Sequence, residues 1–101
     1  MATSTKALFR GAATTTVGTT LYTVPSSTTT IVTNIAVTNT AGTAGTFTIA
    51  LAGTALHTTA AIAANSTAYI DLKQVLATTN VITGGASATS INFHISGIEV
   101  S

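Results

Sequence analysis

The sequence predicts an all-β fold, a compact antiparallel β-sandwich of jelly-roll or Greek-key type with about eight short strands, and three observations predict it. Apolar residues recur at every second position over short runs, the alternation of a strand with one buried face. Turn-forming Gly, Pro, Asn and Ser interrupt these runs at roughly 8 to 12 residue intervals, the spacing of antiparallel sandwiches. Thr occupies 25 of the 101 positions, and a β-branched side chain sits more easily on a pleated surface than on a helix. With three Phe, two Tyr and no Trp, the core must be built from Ile, Val and Leu, a thin layer of the kind two facing sheets enclose. That length supports one domain, spanning residues 1–101, around a single core.

The elements follow in order. Residues 6–12, KALFRGA, make a first strand, and a connector of small residues over 13–20 turns at Gly18. A short strand at 21–24 stops at Pro25, the one proline, which lacks a backbone donor and holds its predecessor extended. Residues 31–51, IVTNIAVTNTAGTAGTFTIAL, read as the central β-hairpin. In its first arm Ile31, Thr33, Ile35 and Val37 share one face, and in its second Phe47, Ile49 and Leu51 alternate with Thr46, Thr48 and Ala50.

Beyond Gly53 a short strand forms around Leu56, a polar turn falls at Asn65-Ser66, and Ala68, Ile70 and Leu72 alternate with Tyr69 and Asp71 in a further strand. Residues 73–77 read as one helical turn, and Asn80 leads into a strand at 81–83 followed by the flexible GGAS. In the last strand Ile91, Phe93 and Ile95 oppose Asn92, His94 and Ser96, and a bulge at Gly97 is expected to return Ile98 and Val100 to the apolar face. Phe47, Ile49, Ile70, Phe93 and Ile95 are expected to share one core, and Arg10 and Glu99 to pair across neighbouring terminal strands.

Charge and composition exclude several function classes. Lys6, Arg10 and Lys73 are the only Lys or Arg residues, too few for a stripe that tracks phosphates, so nucleic acid is not expected as a partner. The opening MATSTKALFRG is too short in apolar residues for a signal-peptide core, and no run reaches the roughly 18 apolar residues of a membrane span, so a soluble chain made in the cytoplasm is expected. A chain without Cys has neither disulfides nor thiolate ligands. Only 5% of residues are charged and the net charge is +1, which leaves little repulsion between copies and favours self-association.

Asp71, Glu99, His57 and His94 are the whole inventory for acid–base chemistry. His94 lies on the polar side of the last strand and His57 precedes two Thr, so both read as surface or interface side chains, while Asp71 and Lys73 read as a local ion pair. No close-spaced histidine pair suggests zinc, and neither a P-loop, a nucleophile elbow nor a dinucleotide fingerprint is present. No catalytic, cofactor-binding or metal-binding residue is assigned, and no enzymatic activity is expected. Asn65-Ser66-Thr67 reads as a polar turn more simply than as a glycan acceptor. Sequences such as Thr46-Phe47-Thr48 lack the fixed repeat that a flat ice-binding array of Thr needs. A sugar platform calls for exposed aromatic rings, and only Tyr22 and Tyr69 could supply one.

The order LYTVP at 21–25, TNIAVTN at 33–39, IAANSTAYIDLKQVL at 62–76 and INFHISGIEVS at 91–101 resembles small virion-associated proteins of tailed bacteriophages, which are compact β-sandwiches on heads or tails. The resemblance spans most of the chain but rests on strand and turn patterns, so it carries no functional residue across. It implies a non-enzymatic structural protein of the virion, decorating or cementing the capsid or attached to the tail. The expected partners are further copies of itself, major capsid proteins or tail proteins, with no membrane and no cofactor. A carbohydrate- or host-surface-binding module of a tail fibre is the alternative.

Overall fold

The computed structural model describes residues 3–101. Eight strands follow one another: β1 (Thr3–Ala12), β2 (Thr20–Thr23), β3 (Thr29–Asn39), β4 (Gly45–Leu51), β5 (Thr54–Ile62), β6 (Ser66–Leu76), β7 (Val81–Ala86) and β8 (Ile91–Val100). They form two four-stranded sheets, a front sheet in the order β1-β8-β3-β6 and a back sheet in the order β2-β7-β4-β5, with every neighbouring pair antiparallel. First strand pairs with last, second with seventh, third with sixth and fourth with fifth, as though one long hairpin had been rolled on itself. That nesting is the jelly-roll order, the first of the two sandwich types expected.

Alternation decides what lies between the sheets. Val32, Ile35 and Val37 of β3 and Ile91, Phe93 and Ile95 of β8 meet Phe47, Ile49, Leu51 and Ile82 of the back sheet in one buried cluster. Phe47 and Phe93 touch edge to face across the layers, ring centroids 6.3 Å apart, a favoured aromatic geometry. Ile70 packs against the margin of this cluster, so the five residues assigned to one core are together.

Three local expectations are corrected. Residues 31–51 are not a hairpin, because β3 belongs to the front sheet and β4 to the back. A period of two identifies the buried face but is silent on whether the next strand lies alongside or across the core. The crossover is held by Asn39, 1% exposed. Its amide nitrogen donates to the Thr43 carbonyl at 2.9 Å and the Ala63 carbonyl at 3.3 Å, while its amide oxygen accepts from the Ala41 N–H at 3.0 Å. The true hairpin of this region joins β4 to β5 through Ala52 and Gly53, with φ of 52° and 79°, the two positive values that match a two-residue turn to strand twist.

The bulge falls on other strands than expected. β8 keeps a single alternation from Ile91 to Gly97, and the extra residues are Leu8 in β1 and Thr33 in β3. Thr33 switches the inward side of β3 from Thr30 and Val32 to Ile35 and Val37, which removes Ile31 from the inner face. Gly97 is needed where these bulges converge, since a Cβ there would collide with the Ile31 carbonyl oxygen and the Leu8 side chain. Ile98 and Val100 consequently stay on the outer side, and Glu99 turns inward.

Residues 73–77 are not helical. β6 runs extended to a buried Leu76, with Val75 opposite Ile31 and Leu76 opposite Thr30. An additional residue between Asp71 and Gln74 relative to β3 breaks the alternation there, and that break is what imitates a change of secondary structure.

Candidate functional site

Polar side chains gather in two places, one inside the sandwich and one on it. Inside, Glu99 shares its register with Ser4 and Thr30. The Tyr22 hydroxyl donates to the Glu99 carboxylate, and the Thr30 hydroxyl lies 2.8 Å from the same phenol oxygen. Lys6 closes the group from the edge strand, Nζ to Oε1 3.4 Å. Burial, then the hydrogen bond from Tyr22 to Glu99, raises the Tyr22 phenol above its ordinary value, because each disfavours a second negative charge beside the carboxylate. The cluster is a satisfied structural network, and it removes Tyr22, 9% exposed, as a sugar platform.

Arg10 does not pair with Glu99. Antiparallel pairing fixes the register of β1 on β8, and that register sets Arg10 beside His94 and Ser4 beside Glu99, leaving Lys6 as the cation within reach. Nor do Asp71 and Lys73 form an ion pair. Asp71 instead accepts a hydrogen bond from the Asn34 side-chain amide at 3.3 Å, and the irregular step between Asp71 and Gln74 breaks the spacing that would set the two charges side by side. His57 lies opposite Ile49 on edge strand β5 with its ring 5.7 Å from that of Phe47, covering the core. Among the described residues no three of His, Asp and Glu come together as a metal could require.

The second gathering covers the outer face of the front sheet. Register across β1, β8, β3 and β6 arranges it in rows. One row reads Arg10, His94, Ala36, Tyr69, and the next Ala7, Ser96, Asn34, Asp71. The row beyond the bulges reads Thr5, Ile98, Ile31, Val75. Arg10 on edge strand β1 thus lies across the sheet from Tyr69, Asp71 and the exposed Lys73 on edge strand β6, with an apolar row below. Tyr69 and Val75 are 73% and 65% exposed, two of the three large apolar side chains so exposed among the described residues. Beside Arg10 the bulges open a shallow depression of about 430 Å³ floored by Thr33, Ser96 and Gly97.

Single residues of this surface were visible beforehand: His94 on the polar side of its strand, and Tyr69 and Asp71 alternating with Ile70. Their gathering was not, since it depends on β6 joining β3 and on the bulge that turns Ile98 outward. No protein-family model matches the chain, and no curated protein matches it.

Proposed function

We propose that this protein is a non-enzymatic structural component of a bacteriophage virion, decorating or cementing the capsid or attached to the tail, whose work is to bind other copies of itself or virion proteins. The observation that carries this reading is the outer face of the front sheet, where Tyr69 and Val75 stand exposed on edge strand β6 beside Asp71 and Lys73, with Ile31 and Ile98 between them and the Arg10 edge. A surface of this kind serves broad protein contact. The acid–base residues, by contrast, are dispersed over the core margin, the interior network and the outer face. The resemblance to phage virion proteins supplies the setting.

Quantitative mass spectrometry of purified particles from the phage that encodes the chain tests the proposal. Hundreds of copies per particle mark head decoration and a handful mark a tail position, while absence from particles removes the reading. The sugar-binding alternative draws on Tyr69, exposed and one row from the Asn34–Asp71 hydrogen bond. With Tyr22 buried, it has a single ring to build on.

A further inference from the structure

We propose that two copies of this chain associate face to face through the outer surface of the front sheet, about a twofold axis parallel to the strands, with Arg10 of each copy on Tyr69 and Asp71 of the other. Electrostatics selects this axis. A twofold axis along the strands lays β1 of one copy over β6 of the other and β8 over β3, keeping each row on its own counterpart. Arg10 then stacks on the Tyr69 ring of the second copy, one row from its Asp71, which satisfies a cation with a π face and a carboxylate. Ser96 meets Asn34, and Ile98 meets Ile31. An axis across the strands fails, because it lays β1 over β1 and β6 over β6, bringing Arg10 near Arg10 and Asp71 near Asp71 while Asn92 covers Ile98.

Size agrees with the chemistry. Four strands about 4.8 Å apart and ten residues of about 3.4 Å each give a face of roughly 650 Å². A standard interface covers about 800 Å² per partner, so one further copy can cover the face almost entirely. Within one copy Arg10 and Asp71 cannot meet, since they lie on opposite edges of the sheet, three strand spacings or about 14 Å apart. Each copy therefore presents Arg10 at one edge and Tyr69 and Asp71 at the other, with Lys73 two residues beyond Asp71 on the side away from Tyr69, and the twofold axis joins both Arg10–Tyr69 pairs at once.

This dimer rests on the structural reading above but fails separately from it. A chain that dimerises as described yet is absent from particles keeps the interface and removes the virion setting; a chain abundant in particles that does not dimerise does the reverse. The test is sedimentation equilibrium of the full chain, with melting curves to establish that each variant is folded. Arg10→Glu and Asp71→Arg are each expected to raise the dimer Kd at least about tenfold by placing like charges together, and the double variant to regain most of the lost affinity. Val75→Lys, which touches neither charge, is expected to weaken the dimer as well. A wild-type chain that stays monomeric at millimolar concentration overturns the proposal, as do single variants that dimerise like wild type or a double variant no better than the singles.

Discussion

The two sheets share one core between their inner faces, and both show Thr and Ala to solvent, but they differ in the charges they carry. Lys6, Arg10, Asp71, Lys73 and Glu99, the whole charged complement, belong to the front sheet. The outer face of the back sheet carries Thr46, Thr48, Ala50, Thr20 and Thr83, and the connector between β1 and β2 lies over Gly85. Bulges interrupt both sheets, at Leu8 and Thr33 in the front and in the β4–β5 and β2–β7 pairings of the back. A jelly roll needs both sheets to exclude water from one core, so stability is shared between them. The proposed contact needs a surface that distinguishes one orientation from another, and among the described residues the outer face of the front sheet carries the charged and large exposed side chains of the two sheets that could do so.

Substitutions sharpen the contrast. The largest effect is expected where the sheets are equivalent: Phe93→Ala and Phe47→Ala should each cost about 3 to 5 kcal/mol, because each ring loses its partner across the core. Denaturant melts check this, and a marked difference between the two would show that the sheets do not share the core equally. Gly97→Ala comes next, at about 1 to 3 kcal/mol, because the methyl group has no room beside the Ile31 carbonyl and Leu8. Gly18→Ala, with nothing within 4 Å of the added atom, serves as its neutral control.

Tyr22→Phe tests the polar network that ties β2 of the back sheet to Thr30 and Glu99 of the front, and about 1 kcal/mol is expected. Its pH dependence has a definite sign. A phenol held above its ordinary value of 10.0 binds its proton more tightly in the folded state than in the unfolded one. The associated stability is therefore complete below pH 10.0 and is lost as pH rises through the folded value. Wild type should lose stability in that range more steeply than Tyr22→Phe, and equal slopes in alkaline melts would detach Tyr22 from this role. The smallest effects on folding belong to the outer faces. Thr20→Lys on the back sheet and Val75→Lys on the front should both stay within about 0.5 kcal/mol of wild type, yet only the second should weaken association.

Much of the fold could be read directly because its signal is local. Alternation around Phe47, Ile70 and Phe93 and the stop at Pro25 each depend on a few neighbouring residues. What escaped depends on distant ones. Whether residues 31–51 close a hairpin or cross the sandwich is decided by Asn39 reaching Thr43 and Ala63. The partner of Glu99 is decided by a register that runs the length of β1 and β8. Likewise, the outer face of the front sheet is assembled from four strands far apart in sequence, and β3 and β6 meet there only because the jelly roll nests them.

The most direct measurement is an NMR dilution series on the full chain from millimolar to micromolar concentration, following every backbone amide. The account predicts concentration-dependent shifts concentrated on the front outer face, at Arg10, His94, Ile98, Tyr69 and Val75, with Thr46, Thr48 and Thr83 of the back sheet unmoved. Shifts centred on the back sheet or along β5, or a spectrum that does not change with concentration, would contradict it.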